Sequence, residues 1–128
     1  MNQTLDQERA AHSWGIVQNV KRELAPQDQK KFGGQAKKLP IRIMSAGLGS
    51  SLAFLEAKKY APKLLDALSE WTKKKMPGAD AQMPLLARIM KNDANFLRRA
   101  TDETLAYLQW LNRFAEAEGI TEDNDNTN

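Results

Sequence analysis

His12 is the one imidazole in a chain of 128 residues that has no cysteine at all. Disulfides, thiolate metal sites and cysteine nucleophiles are therefore excluded, and neither a multi-histidine metal site nor a histidine relay is expected. A single histidine flanking an apolar helix face reads as a packing residue. Catalysis would have to rest on carboxylates, lysines or hydroxyls. Asp93, Asp102 and Glu103 lie close in sequence, but Asp102 and Glu103 point to different sides of a helix, and helix capping accounts for both. Gly47-Leu48-Gly49-Ser50-Ser51 offers a second possibility. Preceded by Leu39-Pro40-Ile41-Arg42-Ile43-Met44, it could be a glycine-rich phosphate loop fed by a short strand. The dinucleotide fingerprint, however, needs a third glycine where Leu52 stands, and no Gly-Lys-Ser/Thr follows. No catalytic residue, metal or cofactor is assigned. Nucleotide binding at Gly47 and Gly49 stays as the enzymatic alternative.

The cations carry more information. Net charge is +3, but unevenly spread: residues 32–75 hold nine bases against three acids, whereas residues 76–128 hold five against nine. The basic third contains Lys37, Lys38, Arg42, Lys58, Lys59, Lys63 and the Lys73-Lys74-Lys75 run. Such a face is what a phosphate backbone needs, because each neutralised phosphate releases counterions without reading sequence. Arg42 sits in an otherwise apolar run and must leave the bundle or meet a partner. Arg98, Arg99 and Arg113 form a smaller second group, for which pairing with Asp102, Glu103 or Glu116 at helical spacing is the structural explanation. A solvated lysine face is the plain alternative for the whole pattern. No zinc-finger spacing, aromatic sheet motif or basic helix above a zipper is present, so any contact with nucleic acid should be to backbone and shape.

Elements that position these side chains are helical. Ala (17) and Leu (15) far outnumber Val (2), Ile (5) and Thr (6), which favours helix over strand. The expected fold is all-α, a single-domain bundle of five or six helices over 1–119, followed by an acidic, disordered tail over 120–128. Helix 1 is predicted from Thr4 to Leu24, stopped by Pro26; residues 27–34 read as a short helix or a turn. Ile41, Met44, Leu48, Leu52 and Leu55 recur at helical intervals, as one stripe running through the glycines. A second row, Ile43, Gly47, Ser50, Phe54, Ala57 and Ala61, is small enough for another backbone to approach. Further helices begin at Pro62 and near Pro84, the latter with Leu85, Leu86, Ile89 and Met90 inward and a break around Asn92-Asp93. The last helix is capped by Thr101 or Asp102 and ended by Gly119. The N-terminus has acids and no apolar run, and no stretch approaches the roughly 18 apolar residues of a membrane span. A cytoplasmic protein is expected.

Three blocks of sequence are similar to a known family. Leu39-Pro40-Ile41-Arg42-Ile43-Met44-Ser45-Ala46-Gly47-Leu48-Gly49-Ser50-Ser51-Leu52-Ala53-Phe54-Leu55, with Ala57-Lys58, resembles the Pro-hydrophobic-(Ser)-Asn-Gly-Leu-x-Gln-Thr-Leu-Ala-Phe-Leu-x-Ala-Lys signature of the small subunit of the Cmr complex, the type III-B CRISPR RNA-guided effector. Arg99-Ala100-Thr101-Asp102-Glu103 through Trp110-Leu111-Asn112-Arg113-Phe114-Ala115 resembles its Ala-Thr-x-Glu-Ala-x-x-x-Leu-x-Trp-hydrophobic-x-Arg-Phe-Ala pattern, and Leu5-Asp6-Gln7-Glu8-Arg9 its opening. Ala46 and Ser50-Ser51 depart from the usual Asn and Gln-Thr, so no polar role is assigned to them.

The resemblance implies a non-catalytic helical subunit whose copies stack head to tail into a minor filament. That filament runs beside the backbone subunits and lines the groove where guide RNA pairs with target RNA, in antiviral defence. Partners would be further copies, the backbone and large subunits, and both RNAs, with no membrane. Candidate phosphate contacts are Lys37, Lys38, Arg42, Lys58, Lys59, Arg98, Arg99 and Arg113. Trp14, Tyr60 and Trp71 could stack between copies or pack in the core. The non-enzymatic alternative is a helical adaptor that meets proteins and never touches RNA.

Overall fold

Thr4 opens the first helix with a capping box: its hydroxyl accepts from the Gln7 N–H (3.1 Å), and the Thr4 N–H donates to the Gln7 side chain (2.8 Å), satisfying two end donors at once. The computed structural model describes residues 2–121, in which six helices follow one another: α1 (Leu5–Glu23), α2 (Pro26–Ala46), α3 (Leu48–Lys58), α4 (Pro62–Lys75), α5 (Leu85–Lys91) and α6 (Ala94–Ala117). No strand occurs among the described residues, which bears out the all-α expectation. Pro26 and Pro62 each stand in the first turn of a helix, where the missing N–H costs nothing. No helix among the described residues is long and apolar enough to cross a membrane.

Helices α1 and α6 run parallel, joined by Arg9–Glu103 and, further along both, by Lys21–Glu118 near their ends. Helix α4 runs antiparallel to α1, with Lys75 on Glu8 and Lys63 on Glu23. Val17, Val20, Leu39, Leu52, Leu55, Leu64, Leu68, Trp71, Tyr107, Leu108 and Leu111 fill the centre. Behind α4, the fully buried Arg88 donates to the Met76 carbonyl (2.6 Å) and pairs with Asp80 (3.1 Å), tying down the turn that was expected at residues 76–80.

The region that reads as a short helix or a turn is the start of a helix of 21 residues, passing through Gly33, Gly34 and Pro40. Two remote contacts explain it. A Cβ on Gly33 would collide with the Ile120 carbonyl, so only glycine lets the chain after α6 lie against α2. Pro40 has no N–H for the Ala36 carbonyl one turn back; Asn112 of α6 supplies the missing donor, its Nδ2 lying 2.9 Å from that oxygen.

Several sequence expectations are corrected. The stripe through the glycines is broken at Gly47, whose φ of 91° is open to glycine and costly to other residues. Helix phase is lost there, so Leu48, Leu52 and Leu55 are buried while Ile41 and Met44 are 74% and 79% exposed. Gly47 has no neighbour that a Cβ would meet, so its role is conformational and not close approach. A strand-fed phosphate loop is likewise ruled out, because residues 26–46 are helical. Helix α6 begins at Ala94, capped by Asp93, whose carboxylate accepts from the Phe96 N–H (3.0 Å); Thr101 and Asp102 lie inside the helix. Met90 faces solvent. Gly119 does end α6, with a φ of 71° and the Ile120 N–H bonded to the Ala115 carbonyl (3.0 Å), the Schellman pattern. Ile120 is buried, so the packed body extends one residue past the expected boundary, and the acidic tail from residue 122 lies outside the described residues.

Two outcomes are expected in urea titrations. Gly33→Ala destabilises by about 1–3 kcal/mol, whereas Gly15→Ala, on an exposed helical turn with nothing near, gains about 0.5–1 kcal/mol. Asn112→Ala costs about 1–3 kcal/mol with Pro40 present and distinctly less in a Pro40→Ala background, where residue 40 regains its own N–H. Equal costs in the two backgrounds would show that the Asn112 bond does not replace the missing one.

Candidate nucleic-acid interface

Two polar clusters could do something chemical, and the first lies inside the α1–α4–α6 junction. Glu103 accepts from Arg9 Nε (2.6 Å) and Nη2 (2.9 Å) and from Trp71 Nε1 (2.8 Å). Burial works against its ionisation, but the bonds from Arg9 and Trp71 and the charges of Arg9 and Lys75 outweigh it, holding the carboxyl below the ordinary glutamate range. His12 Nε2 lies 3.1 Å from the Glu70 carboxylate and Nδ1 2.7 Å from the Tyr107 hydroxyl. A carboxylate only accepts, so Nε2 carries the proton and Nδ1 accepts from Tyr107. Burial lowers the His12 pKa, against the opposing pull of Glu70, and burial raises that of Tyr107. Each of these side chains is bonded to one from another helix, which makes the cluster a device for holding three helices together. Among the described residues, no group of three or more His, Asp or Glu side chains could hold a metal ion.

The second cluster is on the surface. Lys31, Gln35, Lys38 and Arg42 share one face of α2 by helical spacing, and Arg42 Nη1 donates to Gln35 Oε1 (2.6 Å) along it. The Arg42 guanidinium also stands 4.4 Å from the centre of the Phe54 ring on α3, and Lys58 Nζ 6.0 Å from the same ring. Arg42 thus meets an internal partner while staying part-exposed, the two outcomes its position allowed. Tyr60 follows, its ring 6.2 Å from Phe54, and Lys59 between them takes a left-handed conformation with φ 55°. Beside Tyr60 is a hollow of about 240 Å³ lined by Leu24, Asp28, Lys31, Phe32, Lys59, Ala61, Pro62 and Lys63. From Lys31 to Arg42 this face extends about 16 Å along α2.

The structure therefore joins Lys38, Arg42, Lys58 and Lys59 into one region and adds Lys31, which in sequence lies just outside the basic segment 32–75. Lys37 lies on the adjacent stripe, with Ile41 and Met44. The second arginine group does not hold together. Arg98 bonds Asn95, Arg99 borders a depression with Arg9, Lys75 and Asp102, and Arg113 lies about 22 Å further along α6. Their expected acidic partners are not used either: Glu103 belongs to Arg9, and Arg99 and Arg113 form no ion pair with another described residue.

The three aromatic candidates also separate. Trp14 is 42% exposed, edge-on to Phe114 at 5.1 Å, and Phe114 stacks on Trp110 at 5.7 Å, making an aromatic ladder across α1 and α6. Tyr60 is equally exposed but sits among lysines. Trp71 is fully buried, stacked on Tyr107 and bonded to Glu103, so it cannot stack on another copy. The core explanation is the correct one for it.

A family model described as CRISPR-associated protein (Cas_Cmr5) matches residues 5–118, a span that includes the whole basic face, the aromatic ladder and the buried cluster.

Glu103→Ala is expected to cost about 2–4 kcal/mol, since it leaves Arg9 and Trp71 without their acceptor, and Asp102→Asn, exposed on the same helix, to stay within about 0.5 kcal/mol; chemical denaturation separates them. Because the folded His12 pKa is below its unfolded value near 6.5, the unfolded chain binds a proton first as pH falls. Stability is then full above that pH and declines as the pH drops through it. Unfolding midpoints at pH 7.5 and 5.5 should differ in the native chain and converge in His12→Asn.

Proposed function

We propose a role in RNA-guided defence for this chain, which belongs to the Cas_Cmr5 family and is therefore a CRISPR-associated small subunit of the type III-B Cmr complex. In this reading it is a non-catalytic cytoplasmic subunit that stacks on further copies of itself in the minor filament, beside the backbone and large subunits. It presents the α2–α3 basic face to the groove where guide RNA and target RNA pair. The observation that carries the RNA contact is the gathering of Lys31, Lys38, Arg42, Lys58 and Lys59 from two helices onto one face. Solvation alone gives no reason for cations from separate elements to converge. Lys37, on the neighbouring stripe, extends the face; Arg98, Arg99 and Arg113 would be isolated contacts to phosphate. The Trp14 ladder is the surface best suited to stacking between copies, an aromatic patch with Asp6 bonded to Trp110 at its edge (3.0 Å).

One observation favours the adaptor reading. Ile41 and Met44 stand almost fully exposed beside Lys37, and an apolar pair of that kind suits a protein neighbour better than a phosphate. The two readings share Lys37 but otherwise assign different stripes of α2, so both surfaces can be occupied in one assembly.

Salt dependence tests the RNA contact. Binding of a guide–target duplex and of single-stranded RNA should fall steeply with salt in a log–log plot, for the chain alone and with its partner subunits reconstituted. Charge reversal at Lys37, Lys38 and Arg42 should lower the slope by roughly one unit per phosphate contact removed. Salt-insensitive assembly, unmoved by charge reversal, would leave a protein–protein spacer in place of an RNA-groove subunit.

A further inference from the structure

We propose that the hollow beside Tyr60 takes one unpaired RNA nucleotide, with its base stacked on the Tyr60 ring and its phosphate among Lys31, Lys59 and Lys63. The inference rests on the RNA-groove reading and narrows it from backbone contact to recognition of a base that has left the stack.

Three features of the hollow point the same way. Its floor is apolar, made by Leu24, Phe32, Ala61 and Pro62, and its rim is cationic. That combination suits a ligand with a flat apolar body and an anionic arm. The acids present do not cancel the rim: Asp28 lines it, and Glu23 pairs with Lys63 (3.1 Å), leaving Lys31 and Lys59 with no ion pair among the described residues. At about 240 Å³ the space is below the roughly 300–1,000 Å³ typical of sites for larger ligands. It suits a single base.

Tyr60 is the ring that remains available. Phe54 is taken by Arg42 and Lys58, and Tyr60 has Phe54 as its one ring contact and no hydrogen bond on its hydroxyl among the described residues. An exposed ring beside lysines is of little use to a paired backbone, where base faces are hidden; unstacked bases are what aromatic side chains capture. Lys59 adds a cost that packing does not explain. Its left-handed conformation ends α3, where a glycine would be relaxed, yet a glycine would remove a cation from the rim of the hollow.

The test is a titration of the full chain with a single-stranded RNA hexanucleotide and with the same strand fully paired, followed by backbone amide shifts, a readout that reaches millimolar affinities. Tyr60→Ala should weaken the single strand roughly five- to hundredfold, leave the duplex unaltered, and keep the salt slope of the native chain, since no charge is removed. Tyr60→Phe should retain most of the affinity. Tyr60 is exposed, so both variants should keep the native thermal midpoint. If salt-dependent binding persists but Tyr60→Ala affects single strand and duplex equally, or neither, the stacking site is wrong while the RNA-groove reading stands. If neither RNA shifts any amide of the native chain or changes its behaviour in the reconstituted complex, both fall. Self-association that Tyr60→Ala abolishes, with RNA affinity unmoved, would give the ring to a second copy and overturn the proposal.

Discussion

One carbonyl oxygen without a helical donor governs the arrangement of this bundle. Pro40 leaves the Ala36 oxygen unserved, and Asn112 reaches across from α6 to bond it. Just past the end of α6 the chain lies over Gly33 so closely that no side chain fits. These contacts, with Phe32, Ala36, Leu39 and Ile43 buried beneath them, keep α2 helical through a glycine pair and a proline that would end an isolated helix. Helix stability in proteins comes mainly from such packing. The basic face depends on it directly, because Lys31 and Arg42 share a side of α2 only if the helix is unbroken between them.

What the sequence disclosed followed from how far away each cause lies. Local causes were legible: the scarcity of β-branched residues set the fold class, Pro62 and Gly119 marked helix ends, and Asn92-Asp93 marked the break after α5, although the start of α6 was placed at Thr101 or Asp102 and not at that break. Remote causes were not. Gly33 and Pro40 signal interruption unless Ile120 and Asn112 are known to face them. Ile41 and Met44 fit a core stripe by spacing, and only the φ of Gly47 reveals that the phase resets before Leu48. Glu103 looked like a capping residue because its partners, Arg9 and Trp71, come from two other helices. At the surface, the charge pattern identified the basic region, but the role of Phe54 as the ring between Arg42 and Lys58 needed α2 and α3 to be folded side by side.

The buried cluster and the surface cluster divide the polar chemistry of the chain between them. At the α1–α4–α6 junction donors meet acceptors from other helices: Arg9 and Trp71 on Glu103, Tyr107 on His12, His12 on Glu70. Satisfied groups of this kind define which helices adjoin and leave little capacity for an outside ligand. On the α2–α3 face the order is reversed, with cations and rings partly engaged and partly open. Membership of the Cas_Cmr5 family agrees with that division, since a subunit built into a larger assembly needs a rigid interior and an unsaturated exterior.

The joint at Gly47 gives Arg42 a double role. No side chain lies within 4 Å of where a Cβ on Gly47 would stand, and the turn is held from α3 by Ser51, whose Oγ donates to the Gly47 carbonyl (2.8 Å). Besides the buried leucines, it is the Arg42–Phe54 contact that spans the two helices it connects. A phosphate that draws Arg42 away must replace that contact and the bond to Gln35. Engagement and internal stiffness are thus in competition for a single guanidinium. Loss of the Arg42 side chain would therefore loosen the seat of α3 on α2 as well as remove a charge from the surface.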